Sequence, residues 1–142
     1  MTRYNVLVVD DEDEFREAVV KKLEKRDLHC GSAPDGSTAV EMIKAKNYEV
    51  VLLDVRMPGM DGVETLREIK KISPMTEVVM LTGYASVESG INGIKYGAFD
   101  YLMKPMEIDI LIEKLNAAYD RRQVQMEKIE TAQSKKDTAL PS

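Results

Sequence analysis

Residues 6–14 read VLVVDDEDE: four apolar residues run directly into the acids Asp10, Asp11, Glu12, Asp13 and Glu14. So apolar a run fits a strand covered on both faces, as in parallel sheets. Carboxylates crowded at its end repel one another unless something cationic joins them. The first half of the stretch therefore asks for more strands and covering helices, and the second half asks for a positive partner.

The strands follow. YNVLVV (from Tyr4), LHCGSA (from Leu28), EVVLL (from Glu49), EVVMLT (from Glu77) and FDYLMK (from Phe99) are five strand candidates. The first, third and fourth are nearly continuous in Val, Leu and Met, which suits central strands. The second and fifth are mixed, as edge strands are. Between them, apolar residues recur at helical spacing: Phe15, Ala18, Val19 and Leu23; Ala39 and Ile43; Val63, Leu66 and Ile69; Val87, Ile91 and Ile94; Ile108, Leu111, Ile112 and Leu115. Punctuation agrees. Pro34–Gly36 reads as a turn, Asp61 with Glu64 has helix-capping spacing, and Gly97 stands where a helix should stop. Five βα units imply an α/β, doubly wound parallel sheet, whose ligand crevice lies at the carboxyl ends of its strands.

Composition bounds the function. The chain has 142 residues, 44% apolar and 32% charged, an ordinary balance for one soluble domain. A net charge of −5 argues against binding nucleic acid through a basic face. No apolar run nears the roughly 18 residues of a membrane span, and no signal-peptide pattern opens the chain. Cys30 and His29 are the single cysteine and histidine. Cysteine-based zinc sites and multi-histidine metal sites are thereby excluded, and a reducing cytoplasm is expected. His29 is expected to be structural.

The carboxyl ends of the strands carry the chemistry. The first delivers Asp10 and Asp11, the third Asp54, the fourth Thr82 and Gly83, and the fifth Lys104 followed by Pro105. Lys104 offsets one of three converging carboxylates and leaves a deficit suited to a hard divalent cation. Mg²⁺ prefers a few carboxylate oxygens, keeps several waters, and can accept a phosphate oxygen. Glu12, Asp13 and Glu14 are expected instead to cap and complement the first helix. A phosphatase with an aspartate nucleophile would want a second Asp two residues after Asp54, where Arg56 stands. A flavin site would want a Ser/Thr-rich phosphate loop where this chain has acids.

Four stretches, VLVVDDE (from Val6), VVLLDVRMPGMDG (from Val50), VVMLTGYAS (from Val78) and GAFDYLMKP (from Gly97), together resemble the receiver domain of two-component response regulators. The likeness runs from about Tyr4 to Tyr119. The segment LTGYASVESGINGIKYGAFDYLMKP looks most like bacterial receivers of the nitrogen-regulator type, which commonly precede an ATPase and a DNA-binding domain. The resemblance implies a CheY-like (βα)5 sheet in the order 2-1-3-4-5. It implies that Asp54 accepts a phosphoryl group from a sensor histidine kinase or histidine phosphotransfer protein. It also implies that Asp11, Asp54 and the backbone carbonyl of Arg56 ligate Mg²⁺ (or Mn²⁺), with Asp10 acting through water. Lys104, Thr82 and Gly83 would meet the phosphoryl group, Tyr101 would move inward, and the bond before Pro105 would be cis. Arg56 and Tyr84 occupy positions that tune phosphoryl lifetime in the family; both are large, so a long-lived phosphoaspartate is expected.

Such a protein is a phosphoacceptor rather than an enzyme, with only slow self-catalysed phosphorylation from small donors and slow autodephosphorylation. The switching face would be the fourth helix, fifth strand and fifth helix, near Tyr101, Met103 and Met106; a phosphorylation-dependent homodimer is one use of it. The receiver is expected either to stand alone or to be the receiver portion of a longer transcriptional regulator; the alternative is a receiver-like binding module that is not phosphorylated. Residues 1–119 form the expected receiver domain. Residues 120–142, polar and ending in SKKDTALPS, read as a helix extension and a disordered tail. Ile112, Leu115, Tyr119, Met126 and Ile129 nearly keep a coiled-coil spacing that Arg122 interrupts.

Overall fold

A computed structural model describes residues 4–57, 59–83 and 86–138, the last four for their backbone only. The strands are β1 (Asn5–Val9), β2 (His29–Ala33), β3 (Val50–Asp54), β4 (Glu77–Thr82) and β5 (Asp100–Met103). They alternate with α1 (Asp13–Glu24), α2 (Gly36–Ala45), α3 (Gly62–Ile72), α4 (Val87–Lys95) and α5 (Ile108–Thr138). All strand pairs are parallel, in the order β2-β1-β3-β4-β5, so β2 and β5 are the edges.

Period-two alternation explains the continuous apolar runs. Leu7, Val9, Val51, Leu53, Val78 and Met80 face one core, which is closed by Ala39, Val40 and Ile43 of α2 and by Leu66 and Ile69 of α3. Val6, Val8, Val50, Leu52, Val79 and Leu81 face the other, closed by Val19 and Leu23 of α1 and by Leu111, Leu115 and Ala118 of α5. Both faces of each central strand are therefore dry, and each fully buried aliphatic side chain contributes about 1.5–3 kcal/mol. Ala18, expected in the α1 stripe, is exposed; buried Arg16 takes a place on that face instead.

Caps set the helix starts. Asp35 Oδ1 accepts from Thr38 N at 2.7 Å and Asp61 Oδ1 from Glu64 N at 2.9 Å. Glu12 holds the capping position of α1 but makes no capping hydrogen bond, contrary to expectation. Gly97, at φ +106°, ends the turn after α4.

The α4 stripe is the main departure from the sequence pattern. Ile91 and Ile94 are 45% and 42% exposed, while Gly90 and Gly93 are buried against the sheet. A Cβ at Gly93 would lie 3.0 Å from Met80 Cγ, and one at Gly90 would lie 3.3 Å from Thr82 Cγ2. The bulk of Met80, Thr82 and Tyr101 fills the interface, so the helix meets it with its smallest residues.

Helix α5 continues through Thr138, well past residue 119; at 31 residues it is about 46 Å long. Tyr4 fastens it by stacking on Tyr119, ring centroids 4.5 Å apart, and by donating to Asn116 Oδ1 at 2.7 Å. Arg121 Nε lies 2.9 Å from the buried Glu77 Oε2. Farther on, Val124 and Ile129 are about half exposed. Among the described residues, no helix is long and apolar enough to cross a membrane.

Candidate functional site

The ladder delivers the strand-end residues to one crevice. Beyond β1, Asp10 N donates to Ala33 O at 3.1 Å. Lys104 N donates to Thr82 O at 2.8 Å, and this bond carries the β4–β5 pairing one step past β5. The Lys104–Pro105 peptide is cis. Asp10, Asp11 and Asp54 each present a carboxylate oxygen, and the three lie within 4.8 Å of one another. Asp10 and Asp54 are buried, whereas Asp11 is exposed at the rim.

Each acid is held differently. Asp10 Oδ1 accepts from Glu12 N at 2.9 Å and Oδ2 from Lys104 Nζ at 2.9 Å. Asp54 Oδ1 accepts from Arg56 N at 3.3 Å, and its Oδ2 lies 3.7 Å from Lys104 Nζ. Among the described residues, the Asp11 carboxylate has neither a hydrogen bond nor an ion pair. Burial first, and then the charge of Asp10, push the Asp54 carboxyl up to about 6, against the pull of Lys104 and the Arg56 amide. Burial draws Lys104 down, but Asp10, Asp54 and Glu12 outweigh it and hold the ammonium above its ordinary range.

Thr82 Oγ1 donates to Gly83 O at 2.9 Å, so the hydroxyl faces its own turn. Tyr101 is half-buried on edge strand β5, close to Gly90. The Arg56 side chain is exposed. Tyr84 lies outside the described residues. His29 is exposed on β2, away from the crevice.

Several contributors were not singled out from sequence. The Phe15 ring, expected only as core, lies under Lys104 with Nζ 4.3 Å from its centroid, a cation–π contact. Glu12 places Oε1 3.4 Å from the same ammonium instead of capping α1. Gly62 packs against the Asp54–Val55 backbone, where a Cβ would come within 2.5 Å of Asp54 O. The phrase MDG hints at this close approach, because a glycine that opens a helix beside a strand end leaves room for backbone. Arg16 reaches behind Asp10, and a charged residue within an apolar stripe was its only signal.

A doubly wound sheet in this strand order, with an acidic crevice and one lysine at its carboxyl edge, defines the class of α/β signalling receivers. The chain belongs to the response regulator receiver domain family, whose model matches residues 6–116. It is therefore a receiver of two-component signalling, a phosphorelay module and not an enzyme of the ordinary kind. It is 36% identical over 126 residues to the DNA-binding transcriptional regulator NtrC of Escherichia coli, covering 87% of this chain and 27% of the relative. It is 40% identical over 114 residues to the regulatory protein AtoC of the same organism, covering 78% of this chain and 24% of that protein. The chain thus spans about a quarter of the length of these curated relatives. Among solved structures, NtrX from Brucella abortus in complex with ADP superposes with a TM-score of 0.86 at 30% identity, over 99% of this chain and 31% of that one. A response regulator receiver domain protein from Clostridium thermocellum gives 0.82 at 31% identity, over 86% of this chain and 98% of its own. Receivers of this family bind Mg²⁺ at an acidic pocket, and NtrC-like receivers are phosphorylated by histidine kinases.

Proposed function

We propose that Asp54 accepts a phosphoryl group from the phosphohistidine of a sensor kinase or histidine phosphotransfer protein, and that the chain is the receiver portion of a longer regulator. The observation that carries this is the meeting of Asp10, Asp11, Asp54 and Lys104 from three strand ends in one crevice. Three carboxylate oxygens within 4.8 Å and one ammonium make a hard-oxygen donor set with surplus negative charge, which fits Mg²⁺ or Mn²⁺. Asp11, Asp54 and the carbonyl of Arg56 would hold the ion, with Asp10 beside it. When bound, the ion supplies charge neutralisation for an incoming phosphoryl group.

The chain's own residues do the rest. The Arg56 amide engages Asp54 Oδ1, which leaves Oδ2, on the Lys104 side, as the oxygen that attacks phosphorus. The P–N bond of the donor breaks, and its electron pair returns to the histidine ring as the acyl phosphate forms. Lys104 shifts from Asp10 toward a phosphoryl oxygen. The Thr82 hydroxyl turns away from Gly83 O toward another, with the Gly83 backbone beside it. Because Gly90 packs on both Thr82 and Tyr101, movement of the threonine is felt by the tyrosine and by α4.

Ile91, Ile94, Met103 and Ile110 are exposed on α4, β5 and α5, and this face is the surface offered to a downstream protein partner. Arg56, exposed two residues after Asp54, hinders water at the acyl phosphate and lengthens its life. Residues 1–119 form the receiver unit and residues 120–142 its appendage. Incubation with Mg²⁺ and acetyl phosphate, followed by intact mass, tests the reading. One phosphoryl group is expected on the wild type and none on Asp54→Asn; no gain on the wild type, from this donor or from phosphorylated kinases, favours a binding module instead.

A further inference from the structure

Arg16 is buried at 9% exposure at the end of the first turn of α1, behind the acid cluster. Its three guanidinium nitrogens meet three different segments. Nη1 donates to Asp10 O at 2.6 Å, Nε donates to Ser32 Oγ at 2.8 Å, and Nη2 lies 2.7 Å from Asp13 Oδ1. The arginine thus ties the end of β1, the end of β2 and the first turn of α1 together behind the crevice.

The bond to Asp10 O bears on the site. That carbonyl belongs to the peptide unit joining Asp10 to Asp11, so fixing it fixes the direction in which Asp11 leaves the strand. Asp10 is secured by its own side chain, through Glu12 N and Lys104. Asp11 is exposed and has no side-chain partner among the described residues, so only its backbone holds it toward Asp10 and Asp54. A planar fork with five donors can grip the carbonyl while its other nitrogens are anchored elsewhere.

We infer that Arg16 is a positioning residue that aims the Asp11 carboxylate and so sets the divalent-cation affinity of the crevice. The inference rests on the reading of the crevice as a cation site. Arg16 is no ligand; its positive charge alone would weaken cation binding, so an affinity lost with it reports geometry.

The test is calorimetric titration of the intact chain with Mg²⁺ and with Mn²⁺, without phosphodonor, beside denaturant melts. Arg16→Gln is expected to bind each ion at least tenfold more weakly while still melting cooperatively. Ser32→Ala, which keeps the grip on Asp10 O, is expected to stay within twofold of wild type. Arg16→Lys, with one ammonium and no fork, should lose at least threefold, and it decides the matter if Arg16→Gln does not fold. Affinity within twofold of wild type in the deciding variant, even with a lowered melting midpoint, makes Arg16 purely structural and overturns the inference. A tenfold loss in Ser32→Ala as well would overturn it too, by moving the effect from the Asp10 carbonyl to the β2 tie. If the wild type binds neither ion, the reading of the crevice itself fails.

Discussion

The ammonium of Lys104 lies 2.9 Å from Asp10 Oδ2 and 3.7 Å from Asp54 Oδ2, so the lysine is held by the acid beside Asp54 more closely than by Asp54 itself. Asp10 is 1% exposed, and with Asp54 it forms a buried pair of like charges that this single ammonium bridges. Replacing Lys104 by Met leaves both carboxylates uncompensated. In divalent-free buffer the variant should lose about 3 kcal/mol, read from the urea midpoint. Added Mg²⁺ should then raise its midpoint by more than it raises that of wild type, since the ion replaces the missing charge. Equal midpoints without Mg²⁺ would show that solvent already screens the pair.

The raised Asp54 carboxyl gives a pH dependence with a definite sign. Its folded value of about 6 lies above the ordinary carboxylate value of 3.8, so the folded state favours the protonated form. Relative to the unfolded chain, Asp54 costs nothing below about pH 4 and becomes destabilising as pH rises to about 6, by up to about 3 kcal/mol. Asp54→Asn should therefore be more stable than wild type at pH 7.5 without divalent ions. The two should converge near pH 4. A difference independent of pH would contradict the shift.

Cation binding should follow the same group. A divalent ion must displace the proton on Asp54 below about pH 6, so apparent Mg²⁺ affinity should fall by up to about tenfold per pH unit there. Titration at pH 5 and pH 7 measures this; equal affinities would place the ion elsewhere.

Gly62 opens α3 against the strand that carries Asp54, with its N–H donating to Val55 O at 2.9 Å. A Cβ there would sit 2.5 Å from Asp54 O and 2.6 Å from Val55 Cα, and backbone cannot step aside as a flexible side chain can. Gly62→Ala should cost about 3 kcal/mol by denaturation and slow phosphorylation from acetyl phosphate in the folded fraction. Wild-type stability would mean that α3 shifts freely.

The far end of the sheet anchors the long helix. Arg121 Nε pairs with buried Glu77, whose other oxygen is 3.7 Å from Lys70 Nζ. Arg121→Ala should cost about 1 kcal/mol, because the buried carboxylate keeps only the more distant lysine. Truncation after Arg122 removes the half-exposed Val124 and Ile129 and should shift stability by no more than about 0.5 kcal/mol. A fall in solution mass beyond the deleted residues would assign the extension to self-association.

Much of this was legible in the chain itself. The continuous apolar runs of β1, β3 and β4 meant two covered faces, and the alternation of strands and helices meant parallel order. Asp10, Asp11, Asp54, Thr82 and Lys104 could be placed in one crevice because every strand of such a sheet points the same way. Local hydrogen bonding likewise made the Asp61 cap readable from four residues.

What needed the tertiary structure was whatever depends on the volume between elements. Ile91 and Ile94 have helical spacing, yet α4 turns them outward, because the space beneath it is already filled by Met80, Thr82 and Tyr101 and admits only Gly90 and Gly93. The carboxylate of Glu12, beside a helix start, looks like a cap until the position of Lys104 is known. Arg16 looks like a misplaced charge until β2 brings Ser32 and β1 brings the Asp10 carbonyl within its reach. The extension of α5 is too polar for composition to distinguish helix from coil; the helix there is anchored at its base by a buried acid contributed by another strand. Sequence specifies the period and chemistry of each element, and only packing decides which face of an element lies against its neighbours.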